Sequence, residues 1–261
     1  MGESFSDQIG GKIMMTGSPD RIVSLVPSLT ELVYYLGLGE YVRGVTKFCV
    51  HPVQKPQNVK IVGGTKNFRM DVIQRISPDL ILGNKEENYK EGIEELAGKY
   101  PVWVSDVNNL EEAQQMVSSV GKLTGKTQEA GELISEVNKR WQGVKQAAKG
   151  RVLYLIWHEP LMTAAKGTFI DSVLDHLGFE NVLSDYTRYP AVDADKLREL
   201  NLDYVFLSSE PFPFAKKHLP FYKKLFPKAQ VKLVDGEMFS WYGSRMLYAP
   251  KYFKEDVLQG I

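Results

Sequence analysis

Two short stretches carry side chains that could begin a metal site, Cys49-Val50-His51 and His158-Glu159. A protein-held zinc or copper ion needs three or four such ligands at close spacing. The chain has one cysteine and four histidines in all, and no second Cys or helical His pair completes either stretch. No resident metal is expected, although one axial contact to a metal that arrives already chelated stays open. Nucleotide chemistry is also missing. The first apolar run enters its helix through Val26-Pro27-Ser28-Leu29-Thr30, with no glycine where a pyrophosphate would approach the backbone. The stretch from Gly121 to Thr127 is one residue short of a phosphate-binding loop and follows helical rather than strand patterning. No serine elbow of G-x-S-x-G form occurs. No catalytic residue and no cofactor are expected, and an enzyme that processes a metal chelate is kept only as an alternative.

What the chain does offer is rings and charges directly after apolar, β-branched runs. Lys47-Phe48, the Lys66 to Arg69 turn, Lys85, Trp157-His158, Phe212 and the run Trp241-Tyr242-Gly243-Ser244-Arg245 stand there, and Tyr189 lies in the irregular stretch before the second acidic helix. In open α/β sheets the binding site lies beyond the carboxyl ends of the strands. Phe48, Lys66, Phe68, Lys85, Trp157, His158, Tyr189, Phe212, Trp241, Tyr242 and Arg245 are therefore the candidate ligand-binding residues. Their rings suit a large, flat, partly polar ligand.

The elements that must hold these residues are written twice. Met70 to Leu82 gives an acidic helix start at Asp71, a turn, and a second acidic residue, Asp79, opening an apolar strand; Ala194 to Phe206 repeats this with Asp195 and Asp203. Arg21 to Leu25 matches Arg151 to Leu155 as a strand. Thr30 to Gly37 matches Asp171 to Gly178 as a helix with a capping residue before it and a glycine after it. Val102 to Asp106 matches Val231 to Asp235. The alternation of strand and helix predicts an α/β fold of two lobes with mostly parallel sheets. Residues 1–20 read as a hairpin preface around Gly10-Gly11, 21–125 as the first lobe, 126–149 as one long helix joining the lobes, and 150–261 as the second lobe. Leu133, Ile134, Val137, Trp141, Val144 and Ala148 share one face of that helix. Gly131 and Gly143 weaken it, and two helices with a bend are the alternative.

At 261 residues with 43% apolar content the chain has material for two domains. Its 32 basic and 32 acidic side chains cancel, so no overall field recruits nucleic acid or an anionic membrane. A single cysteine excludes an internal disulfide. Neither a signal peptide nor a membrane span is expected within these residues.

The run from Arg21 to Leu32, the Gly44-Val45-Thr46 strand end with Pro52 beyond it, Ile76-Ser77-Pro78-Asp79-Leu80-Ile81, and Trp241 ahead of Arg245 keep an order and spacing over about residues 19 to 258. Together they resemble the substrate-binding proteins of ABC importers for vitamin B12, haem and ferric siderophores, most of all the vitamin B12-binding group. The resemblance implies capture of a metal chelate, whether cobalamin, haem or a ferric siderophore, in a cleft between two lobes with little hinge motion. It also implies a monomer that delivers its ligand to an ABC permease and its ATPase, at the periplasmic or outer face of the cytoplasmic membrane. Phe48 falls where that group has a cleft tyrosine, and Trp241 falls in its aromatic C-terminal loop. Asp71 and Asp195 fall at acidic positions that dock onto arginines of the permease, each one methylene shorter than the usual Glu. Val50 stands where an acidic residue is common. Lys47, Lys66, Lys85, Arg188 and Arg245 would favour carboxylates or catecholates, tilting the ligand toward haem or a ferric siderophore. Without an export signal, a cytoplasmic tetrapyrrole carrier or sensor is the alternative.

Overall fold

The computed structural model describes residues 2–259 and divides into two units. The first takes the chain up to Val107, then Glu111–Glu136 and Tyr242–Arg245; the second takes Asn108–Leu110, Val137–Trp241 and the chain from Met246 on.

In the first unit, β1 (Glu3–Ser6) and β2 (Lys12–Met15) form the expected antiparallel hairpin. The hairpin is fastened by the Trp103 indole, which donates to the Ser6 carbonyl at 3.1 Å, and by the Gln8 amide, which donates to Val104 at 3.1 Å. The elements that follow are β3 (Ile22–Ser24), α1 (Pro27–Tyr35), β4 (Val42–Val45), β5 (Lys60–Ile61), the small hairpin β6 (Gly63–Gly64) and β7 (Asn67–Phe68), and α2 (Met70–Ile76). They continue through β8 (Leu80–Asn84), α3 (Lys90–Ala97), β9 (Val102–Ser105) and α4 (Leu110–Leu123). The sheet order is β5-β4-β3-β8-β9, with every neighbour parallel. All residues of β3, β8 and β9 are buried, as a sheet covered on both faces requires. Strand order reverses between β3 and β8, so the crevice expected in such sheets opens beyond Ser24 and Asn84.

Helix α1 starts three residues before the capping residue expected at Thr30. Pro27 opens it, where a missing N–H costs nothing. Thr30 lies inside, its hydroxyl donating to the Val26 carbonyl at 2.9 Å and to Ser24 Oγ at 2.8 Å.

Helix α5 (Thr127–Gln142) begins in the first unit and ends in the second. Its 16 residues span roughly 24 Å, so the helix expected to reach residue 149 stops seven residues short. Gly143 and Val144 turn tightly, each bonding the carbonyl three residues back. The Gln146 and Ala148 amides then donate at 2.8 Å to the His176 and Leu177 carbonyls. Those are end carbonyls of α6 (Phe169–Leu177), which have no partner within their own helix. The chain leaves one helix in order to close another.

The second unit also contains β10 (Arg151–Trp157), β11 (Met162–Thr163), β12 (Glu180–Asn181), α7 (Ala194–Arg198), β13 (Tyr204–Ser208), α8 (Leu219–Leu225), β14 (Gln230–Val234), α9 (Gly236–Ser240) and α10 (Ala249–Tyr252). The order is β11-β10-β13-β14, with β12 also on β10; β11 alone is antiparallel. The succession β3, β8, β9 in one unit thus matches β10, β13, β14 in the other.

The match reaches single hydrogen bonds. Asp79 accepts the Arg21 amide at 2.8 Å and returns its own amide to the Arg21 carbonyl at 3.1 Å. Asp203 accepts the Arg151 amide at 2.7 Å and returns its amide to the Arg151 carbonyl at 2.9 Å. The two arginine side chains also agree, donating to the Ser77 and Asn201 carbonyls. Each clamp sets the register of two parallel strands at their amino ends. Gly150, at φ +122, leads into the second clamp, where a side chain would strike Tyr204 and Asp203.

Candidate functional site

Each unit presents its own surface at the carboxyl ends of its strands. In the first, Lys47 and Phe48 follow β4. The Phe48 ring is 49% exposed, with Lys47 Nζ 5.0 Å from its centroid. Its edge lies over Gly64, where an added Cβ would stand 3.3 Å from the ring, so the glycine seats the ring against the β6–β7 hairpin. On that hairpin's turn, Lys66 donates to the Glu86 carbonyl at 2.6 Å and to Asn88 at 3.3 Å.

The loop after β8 is held by two buried asparagines. Asn84 accepts the Glu86 and Glu87 amides at 2.9 and 3.0 Å and donates to Ser105. Asn88 accepts the Asn84 amide at 2.8 Å and donates to the Leu25 and Thr65 carbonyls. A buried network satisfied at this level makes a rigid platform. Lys85, on that platform, is paired with Asp106 at 2.6 Å.

Several expected wall residues turn inward. Phe68 is buried against Tyr89 with centroids 4.7 Å apart, so it closes its own unit. Tyr242 is buried as well. Arg245 is 8% exposed and pairs with Glu31, Nε to Oε2 at 3.1 Å and Nη2 to Oε1 at 3.0 Å. Desolvation of an arginine is tolerable only with such a partner, and here that partner is internal. Cys49 is buried between Thr30 and Thr46, with Sγ 3.1 and 3.2 Å from their hydroxyls. Burial raises its thiol above the ordinary range and keeps it from acting as a ready ligand. Among the described residues no group of three or more His, Cys, Asp or Glu is placed to hold a metal ion.

In the second unit, Trp157 ends β10, 38% exposed, with the half-buried Phe212 edge-on at 5.7 Å. His158 sits among Phe212, Phe221 and His218, all with centroids 5.5 to 5.6 Å away. Its Nδ1 meets the Tyr222 hydroxyl at 2.8 Å, and burial pushes that hydroxyl well above its ordinary pKa. Tyr189 is half-buried beside Arg188, whose guanidinium is already bonded to Asn108 Oδ1 at 2.5 Å and the Gly167 carbonyl at 2.6 Å. Trp241, a candidate ligand-binding ring, is buried and donates its indole N–H to Glu210 Oε1 at 2.9 Å. Glu210 also accepts from Ser240 at 2.6 Å. Burial raises the Glu210 carboxyl above the usual carboxylate range, the two donors holding it down in part.

Glu210 and the two asparagines organise these surfaces, and their sequence context gave no sign of it. The Glu210 contact depends on α9, a five-residue helix inside a stretch that reads as loop. Of the candidate rings, those that stay exposed are Phe48 in one unit and Trp157 in the other, the latter with the half-buried Phe212 beside it. Most cations expected to meet a ligand already have protein partners.

Asp71 and Asp195 occupy equivalent places, each the second residue of its helix, α2 or α7. Neither is the cap: Arg69 and Asp193 precede the helices, and Asp193 accepts the Asp195 amide at 2.8 Å. The carboxylates are 58% and 80% exposed, and each pairs with an arginine of its own helix, Arg75 at 2.7 Å and Arg198.

Residues 22–226 match the model of a family described as periplasmic binding protein. A Bacillus subtilis relative, an uncharacterized ABC transporter substrate-binding lipoprotein named YvrC, is 25% identical over 77% of this chain and 68% of its own. The vitamin B12-binding protein of Pectobacterium carotovorum is 23% identical over 88% and 86%. A solved structure from Staphylococcus epidermidis, described as a possible iron-binding, periplasmic solute-binding protein, superposes with a TM-score of 0.77 at 25% identity, covering 92% of this chain and 99% of that one.

Proposed function

Since the chain belongs to the periplasmic binding protein family, we propose that it captures a metal chelate of the cobalamin class outside the cytoplasmic membrane. It then hands the chelate to the permease of an ABC importer. The observation that carries the ligand class is the pairing of exposed rings with engaged cations. Phe48 in the first unit and Trp157 in the second are each exposed apolar rings of the kind a flat ligand covers, while Lys85, Arg188 and Arg245 are bonded to Asp106, Asn108 and Glu31. A ligand with many carboxylates would have to break those bonds. A corrinoid, with amide side arms, would not.

Lys47 and Lys66, close to Phe48 in the first unit, favour a second reading, haem or a ferric catecholate, and reverse the preference on charge alone. Titration with cyanocobalamin, haemin and a ferric catecholate separates the two. Cobalamin is expected to bind at least tenfold tighter than either. A tenfold advantage for haemin or the catecholate would overturn the first reading and establish the second. Failure of all three to bind below about 100 μM, an affinity of about −5.5 kcal/mol, would end both.

Asp71 and Asp195 are the proposed contacts with the permease. Their exposure and matched helix positions support this, with the neighbouring arginine of each helix exchanged for one from the partner. Among the described residues no helix is long and apolar enough to cross a membrane. A carrier or sensor inside the cell would bind the same ligands; fractionation of cells producing the full-length protein distinguishes it.

A further inference from the structure

Along the β5 edge of the first unit's sheet, a cavity of about 570 Å³ opens between β5 and α2, lined by neither Phe48 nor Lys85. Its floor is Ile61, Val72 and Ile76, and its rim carries five cations: Arg21, Arg43, Lys60, Arg69 and Arg75. In a chain whose charges cancel overall, this is a concentrated local excess. Two carboxylates adjoin it. Asp79 stands 3.9 Å from Arg21. Asp71 stands 2.7 Å from Arg75 and 4.0 Å from Arg69. Arg43 reaches only backbone carbonyls, those of Glu40 and Val42. Among the described residues, neither Arg43 nor Lys60 has a carboxylate within ion-pair distance.

From this arrangement we infer that the cavity is a binding site for an organic phosphate, separate from the chelate site. Planar guanidinium groups match phosphate oxygens in pairs, and Arg43 and Lys60 are the groups with no competing carboxylate. The apolar floor, where Ile61 is 48% exposed, takes the carbon portion of the same molecule. A bare inorganic ion would leave that floor wet. Asp71 acts as an internal competitor, holding Arg75 and sharing Arg69 until a phosphate displaces it. The phosphate can belong to an anionic lipid headgroup or to a soluble ester, which present the same chemistry to the rim.

The test uses the full chain with two probes. One is vesicles of phosphatidylcholine with and without 30% phosphatidylglycerol, a composition chosen for the assay at about physiological salt; the other is phenyl phosphate, followed by calorimetry. Wild-type protein is expected to bind at least one probe. Retention on phosphatidylglycerol vesicles alone assigns the headgroup, and binding of phenyl phosphate without vesicle preference assigns a soluble ester. Arg43→Gln with Lys60→Gln should weaken that binding about tenfold or more while cobalamin affinity is unchanged, since two charge-assisted contacts are lost. Asp71→Asn should strengthen it several-fold by freeing Arg69 and Arg75, a gain that misfolding could not produce. No binding of either probe, a double variant that binds like wild type, or an Asp71→Asn variant that binds no tighter would each overturn the proposal.

Discussion

Phe48 and Trp241 separate the ring proposed to meet ligand from a ring that builds the fold. Phe48 is about half exposed and loosely seated on Gly64, with Lys47 above it. Full burial of a phenylalanine side chain is worth about 2 to 3 kcal/mol, so a ligand covering the remaining half gains about 1 to 1.5 kcal/mol. Offset stacking on a flat macrocycle adds about 0.5 to 1.5 kcal/mol. Phe48→Ala should therefore raise the cobalamin Kd by roughly 10- to 100-fold, while thermal unfolding shifts by no more than a few degrees. Trp241→Ala should do the reverse. Its ring is buried and its N–H donates to Glu210, so truncation leaves a cavity and removes one of the two donors to that carboxylate, costing about 3 to 5 kcal/mol of stability. Fluorescence titration and calorimetric melting of both variants give the two numbers. A Phe48→Ala protein whose Kd changes less than threefold, with its melting temperature intact, would refute the assignment of this ring to the ligand.

Glu210→Gln keeps an acceptor for Trp241 and Ser240 but removes a buried charge. Because burial raises the folded pKa of Glu210 above its unfolded value, its contribution is full below the ordinary glutamate pKa and is lost as pH rises through the raised one. The variant should thus melt higher than wild type at neutral pH, and the gap should close on acidification; urea melts between pH 4 and 8 check it. Asp71→Asn with Asp195→Asn should leave chelate affinity unchanged and reduce permease association and its salt dependence, as read by pull-down on permease in detergent. Asp203→Ala removes the acceptor for the Arg151 amide and should lower stability by about 1 kcal/mol, whereas Asp203→Asn should lose less; denaturant unfolding measures both.

The fold was readable because the signals that encode it are local and repeated. Apolar runs at Ile22, Leu80, Val102, Val152, Tyr204 and Val231 all became strands, and the helix expected from Asp171 to Gly178 formed from Phe169 to Leu177, with Thr168 rather than Asp171 as its cap. Errors arose where tertiary partners decided the outcome. Thr30 carries a capping chemistry that Pro27 pre-empts, and the face of α5 continues through Val144 and Ala148 after the helix itself has ended. Side-chain roles were harder to read. Sequence placed Phe48, Phe68 and Trp241 alike after apolar runs, but exposure depends on what folds over each ring: Tyr89 covers Phe68, and α9 brings Trp241 onto Glu210. Lys85 and Arg245 read as available charges because Asp106 and Glu31 are distant in sequence, Glu31 by 214 residues.

That last separation sets an order of events during synthesis. The first unit contains Tyr242–Arg245, and the partner of its Glu31 carboxylate is Arg245. At about 5 to 20 residues per second, a ribosome takes roughly 10 to 40 s to travel between the two codons. Throughout that interval the amino-terminal half of the nascent chain lacks the piece that completes it. A fragment ending before residue 242 would carry every strand of the first sheet and still lack the Arg245 guanidinium that Glu31 meets.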